Sequence, residues 1–200
     1  MKRMLPIFLM ALAIALTSST AKNKQIPSSE KESNKELTFE SRKLVNNARY
    51  WWGVTIGDIT NDGLMDVVFI DNNSSGGFLG YYTGQSEQGL WQMTQIAEAP
   101  PGGGTFASGD LETGDIHGDG DLDVMAGVNA HRAVNIGKTE FPVNIYLNDG
   151  TNLKWIPKKI ETGGIYNGRV ADFEGDGDYD IFHLPGHEAT DYFLLENRIK

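Results

Sequence analysis

The sequence predicts an all-β chain made of three four-stranded repeats with a period of 57 residues. Three observations carry this. An acidic nine-residue phrase occurs three times, as Asp58-Ile-Thr-Asn-Asp-Gly-Leu-Met-Asp66, Asp115-Ile-His-Gly-Asp-Gly-Asp-Leu-Asp123 and Asp172-Phe-Glu-Gly-Asp-Gly-Asp-Tyr-Asp180. Its first residues fall at two equal intervals of 57 (58 to 115, 115 to 172). Such regular self-similarity marks a repeat architecture. A compact apolar run follows each phrase: Val67–Ile70, Val124–Val128 and Ile181–Leu184. Runs of four or five apolar residues suit strands buried on both faces. Finally, the 24 Gly and seven Pro lie mostly between apolar runs, and beyond the N-terminus no long segment has helical periodicity.

Taken in order, residues 1–21 read as a secretory signal peptide. Lys2 and Arg3 precede the apolar run Leu5–Leu16, and Ser19-Thr20-Ala21 offers small residues for cleavage. The run is short for a membrane span, so no stable span is expected after cleavage. No cysteine is present, which excludes both a lipid-modified cysteine and a disulfide staple. Residues 22–36 are polar with mixed charge and are expected to form a disordered linker. Residues 37–200 then form the repeat domain. Each repeat is expected to open with a half-apolar outer strand, near Leu37–Leu44, Leu90–Ile96 and Leu153–Ile160. Pro157 restricts the last of these to a sheet edge. An inner strand runs into each acidic phrase: Val54–Gly57, Leu111–Gly114 and Arg169–Ala171. After the buried strand comes another, at Gly80–Thr83, Asn144–Leu147 and Tyr192–Leu195. Four short antiparallel strands of this kind make one β-propeller-type blade.

Hydrophobic residues make up 40% of the chain, enough for a core. The formal net charge is −10, and the three acidic phrases hold three, four and five of the 27 carboxylates. Negative charge is therefore concentrated where the repeat is, which points to a cation. No nucleic-acid partner is expected, because no basic stripe is present to neutralise phosphates.

The three phrases with their flanking strands resemble the FG-GAP/VCBS repeat family, the calcium-binding blades also found in integrin α-subunit propellers. Asn144-Ile-Tyr-Leu-Asn-Asp-Gly150 resembles the third strand and turn of VCBS repeats, and the resemblance covers about residues 37–197. It implies calcium in a structural rather than catalytic role.

The residues are consistent with that chemistry. Ca²⁺ takes six to eight oxygens, and side chains at alternate positions of a tight loop can converge on one ion. Positions one, three, five and nine would supply side chains, position seven a carbonyl, and Gly63, Gly120 and Gly177 the sharp turn at position six. The expected ligands are Asp58, Thr60, Asp62, Asp66 and the Leu64 carbonyl in the first loop. They are Asp115, Asp119, Asp123 and the Asp121 carbonyl in the second, and Asp172, Glu174, Asp176, Asp180 and the Asp178 carbonyl in the third. His117 stands at position three of the second loop. Imidazole is a poor calcium ligand, so that site is expected to be the weakest of up to three. The plainer reading of one such turn is Asp side chains capping backbone groups; three copies in register favour metal.

With the acidic loops on one face, a ligand is expected on the other. That face would carry Trp51 and Trp52 before the first inner strand, Phe106 before the second, Tyr166 and Asn167 before the third, and His131, Arg132 and His187 in loops. Aromatic faces with scattered polar groups suit sugars, although core packing is the plainer account of the tryptophans. The expectation is a secreted, periplasmic or surface-retained binding module for a glycan or an extracellular protein, a binder rather than an enzyme. The alternative is a carbohydrate-active enzyme of the polysaccharide-lyase or sugar-dehydratase kind, or a fragment of one. Gly164-Ile-Tyr-Asn-Gly168 and Leu195-Glu-Asn-Arg198 are similar to that group. Closed propellers have four to eight blades. Three repeats therefore imply a shortened ring, a ring of several copies or an open arc. The first or third is expected for the monomer, with open blade edges inviting self-association.

Overall fold

A computed structural model describes residues 37–46, 51–71, 77–85, 89–98, 106, 111–128, 141–161, 163–185 and 190–198. The expected signal peptide and linker lie outside these residues. Ser41–Lys200 forms one compact unit. Among the described residues there is no helix; eleven strands make three antiparallel sheets.

Sheet one contains β1 (Trp51–Gly57), β2 (Asp66–Asp71), β3 (Phe78–Thr83) and β4 (Gln92–Glu98), paired in chain order. Sheet two repeats this with β5 (Glu112–Gly114), β6 (Asp123–Gly127), β7 (Val143–Asn148) and β8 (Trp155–Glu161). Sheet three has β9 (Asn167–Ala171), β10 (Asp180–Leu184) and β11 (Phe193–Leu195). Each acidic loop joins the first two strands of its sheet. Its base is the same pair every time: Gly57 opposite Asp66, Gly114 opposite Asp123, Ala171 opposite Asp180.

Two expectations need correction. Each outer strand completes the sheet it follows, rather than opening the next, because it pairs directly with the preceding third strand. Accordingly, residues 37–46 form no strand. Leu37 and Phe39 are exposed, and the Leu44 carbonyl accepts a bond from the Trp91 N–H at the entry to β4. The third sheet then has three strands, not four. Pro157 lies on β8, the outer edge of sheet two, where no ladder donor is needed.

The side-chain period of two explains the burial. Val68, Ile70, Leu79 and Tyr81 of sheet one pack with Val124, Ala126 and Tyr146 of sheet two, joined by Ile59, Phe106 and Leu111. Alternate residues of sheet two, Met125, Val143 and Ile145, pack with Ile181 of sheet three, joined by Ile116 and Ile165. Sheet two is thus covered on both faces, and every residue of β6 is buried. Full burial of each such side chain contributes about 1.5–3 kcal/mol. First strands of successive sheets abut, β1 against β5 and β5 against β9. Gly57 lies at this approach, where a Cβ would sit 3.1 Å from Thr113 Oγ1 of β5 and 2.8 Å from the end of the flexible Leu122 side chain. Phe106, expected on a ligand surface, is fully buried in the first core.

Candidate metal-binding loops

The three loops share one hydrogen-bond pattern. At position one, Asp58 Oδ1 accepts from Asp62 N (3.0 Å) and Oδ2 from Gly63 N (2.9 Å). Asp115 accepts from Gly118 N, Asp119 N and Gly120 N, and Asp172 from Gly175 N, Asp176 N and Gly177 N, all at 2.6–3.1 Å. At position five, Asp62, Asp119 and Asp176 each accept from the N–H two residues on. Gly63, Gly120 and Gly177 have φ of 85°, 96° and 98°, as the expected turn requires. Position four is left-handed too, filled by Asn61 (φ 55°), Gly118 (74°) and Gly175 (78°). Asn and Gly are the residues that tolerate this conformation, a signal the alternate-position reading passed over.

Position nine does different work. Asp66, Asp123 and Asp180 are fully buried. Asp66 Oδ2 accepts from Ile59 N (2.9 Å) and Thr60 N (3.1 Å), while Oδ1 accepts from Gly84 N (2.7 Å) after β3. Asp123 repeats this with Ile116 N, His117 N and Asn148 N; Asp180 does so with Phe173 N and Asn197 N. Each carboxylate therefore ties the start of its loop to the end of the third strand. The capping role of Asp is present in all three loops, and any metal would share carboxylates that already shape the backbone.

Two residues that sequence reasoning missed link one loop to the next sheet. The Asn148 side-chain amide donates to the Ile59 carbonyl (3.4 Å), and that of Asn197 to the Ile116 carbonyl (2.8 Å). Their shared place at or just past the end of a third strand was the available signal. Asn61 also donates to the Asp121 carboxylate of the following loop. The first and second loops are therefore neighbours.

The electrostatics differ between loops. Burial raises the Asp66 pKa; its backbone donors oppose this and Asp62 adds to it. Asp123 is raised by burial against the opposing pull of His117. Glu174 and Asp178 are raised by desolvation and then by neighbouring carboxylates, chiefly Asp176 and Asp180. His117 bridges two carboxylates, with Nδ1 2.7 Å from Asp123 Oδ2 and Nε2 2.9 Å from Asp119 Oδ2. Desolvation pulls its pKa down, but the Asp123 bond and the surrounding carboxylates outweigh this and raise it. Among the described residues, one group of three acidic or histidine ligands has all its donor atoms within 4.8 Å of one another: Asp115, His117 and Asp123. The carboxylates of loops one and three form no such group. Thr60 Oγ1 itself turns to Asp66 Oδ2 at 3.4 Å.

Of the expected ligand-surface residues, Trp51 and Trp52 open β1 and Asn167 opens β9, at the strand ends opposite Asp58 and Asp172. Tyr166 directly precedes Asn167, and its N–H donates to the Leu184 carbonyl. Asn167 Oδ1 accepts from Arg169 Nη1, which also pairs with Glu112 at 2.9 Å. His131, Arg132 and His187 lie outside the described residues. His183 is buried against Phe193, and burial lowers its pKa. Between sheets two and three lies a cavity of about 300 Å³ lined by Ile116, Ile145, Ile160, Ile181 and Leu195, together with Asn197 and Arg198. No helix among the described residues is long and apolar enough to cross a membrane. No protein-family model matches the chain, and no curated protein matches it.

Proposed function

We propose that this chain is an exported, calcium-stabilised binding module of β-propeller type, of the FG-GAP/VCBS kind, whose sheets are blades of an arc. The observation that carries the reading is the triplicate wiring. Three acidic loops of identical register close the first hairpins of three sheets whose first strands lie side by side. In loop three, desolvation and then the neighbouring carboxylates raise the pKa of Glu174 and Asp178, an electrostatic demand that a cation would meet. In loops one and three the calcium ligands are the oxygens of Asp58, Thr60, Asp62 and Asp66, and of Asp172, Glu174, Asp176 and Asp180. Calcium at these places would screen carboxylate repulsion and add its binding energy to folding. Loop two is the weakest calcium site, because His117 already bridges its carboxylates.

The binding surface is assigned to the end opposite the loops, around Trp51, Trp52, Tyr166 and Asn167, with a glycan or an extracellular protein as ligand. Calorimetric calcium titration, with thermal melts in calcium and in chelator, tests the metal reading; no heat and no rise in Tm would refute it. A glycan array probed with the protein and with a Trp52→Ala variant tests the surface. Binding that survives the substitution places the ligand elsewhere.

A further inference from the structure

One side chain in the seam between sheets one and two has no counterpart, among the described residues, in the seam between sheets two and three. In the first seam, Trp155 of the outer strand β8 packs against the core, its ring 6.4 Å from that of Tyr81. Its ladder partner is Asn148, whose amide reaches back to the Ile59 carbonyl. The register repeats these places one sheet further on. Tyr81 pairs with Val68, as Ile145 pairs with Met125. Tyr146 pairs with Val124, as Leu195 pairs with Ile181. Asn148 lies two residues beyond Tyr146 and Asn197 two beyond Leu195, and the Asn197 amide reaches back to the Ile116 carbonyl in the same way. The place of Trp155 in the second seam is therefore opposite Asn197, on a fourth strand beside β11.

The cavity of about 300 Å³ lies at that place. Its wall includes Ile145, Leu195 and Asn197, the counterparts of Tyr81, Tyr146 and Asn148, with Ile116, Ile160 and Ile181 completing the apolar lining. Close-packed cores leave few voids larger than a water molecule. An apolar cavity of roughly 150 Å³ takes up benzene, so this one has room for an indole. Beside it, among the described residues, β11 pairs along one edge only, with β10. Phe193 and Leu194 on that strand are 47% and 42% exposed. A ladder edge next to a pocket for one side chain is the arrangement that strand addition uses.

We propose that this edge and cavity receive an extended segment of a partner polypeptide, which pairs with β11 as a fourth strand and seats one bulky aromatic side chain in the cavity. The backbone ladder supplies affinity whatever the sequence, and the cavity selects the aromatic residue. The occupant is set by what fills the matching place in the first seam: an aromatic side chain on an outer strand that is laddered to the third strand. The site lies between sheets two and three, apart from the surface assigned around Trp51 and Trp52, and it does not rest on calcium.

The test is calorimetric titration of the exported, purified protein with the hexapeptide Glu-Trp-Ile-Thr-Val-Glu, blocked at both ends, and with the same peptide carrying Ala in place of Trp. The expected result is saturable binding of one Trp peptide per chain, with the Ala peptide at least about tenfold weaker. Leu195→Trp and Ile160→Phe fill the cavity from within the chain and should abolish the binding. Circular dichroism verifies folding, and Ile145→Phe replaces either variant that fails it. Four results would overturn the proposal: no binding of the Trp peptide at millimolar concentration, equal binding of the two peptides, binding that survives the filled variants, or binding that appears only in a Phe39→Ala chain. The last would give the site to the chain's own Phe39, which is 91% exposed.

Discussion

Replacing Asp66 by Asn separates bracing of the backbone from metal binding. Asp66 is fully buried, and its two oxygens accept from Ile59 N, Thr60 N and Gly84 N at 2.7–3.1 Å. Asn keeps the shape but has one acceptor oxygen. Held toward Ile59 and Thr60, it turns its NH₂ against the Gly84 N–H and orphans that donor, at a cost of about 1–3 kcal/mol. The two remaining bonds lose their charge assistance, which adds about 1 kcal/mol. Relief of the buried charge, whose pKa is raised by burial, offsets part of this at neutral pH. A net loss of about 2–3 kcal/mol corresponds to a fall in Tm of roughly 4–12 °C for a domain of this size. The assay is thermal unfolding by circular dichroism in excess chelator, then in calcium. The brace requires the fall to appear in chelator. An unchanged Tm there, with a loss only in calcium, would refute the bracing role and leave Asp66 as a ligand alone.

Three further outcomes are expected. Without metal, stability should fall as pH rises from about 4 to 8. Asp66, Asp123, Glu174 and Asp178 have raised folded pKa values, so their contribution is complete below their ordinary 3.8–4.5 and is lost as pH climbs through the raised values. His117, also raised, contributes fully below 6.5 and loses that contribution above it. Melts in chelator across this range check the slope, and calcium should flatten it. His117→Asp should strengthen calcium binding at loop two by restoring an oxygen at position three, read as an added or tighter phase in calorimetry. Leu79→Ala, at a fully buried site between sheets one and two, should cost about 2–5 kcal/mol in chemical denaturation with little change in calcium affinity.

The legible parts of this chain are those in which a local residue choice has a single physical cause. Gly63, Gly120 and Gly177 occupy left-handed turns that few other residues enter, so the loops could be read directly. The apolar run Val124–Val128 announced a strand covered on both sides, and sheet two is so covered. Outer strands carry no such mark. Gln92–Glu98 is half polar, and nothing in its composition says whether it joins the strand before it or the strand after it; only the ladder to β3 decides. Phe106 was misplaced for a related reason, since an aromatic residue among turn residues looks the same whether it faces solvent or a core. Position nine shows the deeper limit. A carboxylate at a fixed interval from a glycine turn suits a calcium ligand and a backbone acceptor equally, and the geometry here gives Asp66, Asp123 and Asp180 the second role in every repeat. That role accounts for Asp at position nine even in the loop where His117 stands at position three. The turn needs its acceptor there whether or not a metal is bound, so the other loop positions can vary while each hairpin keeps its fold.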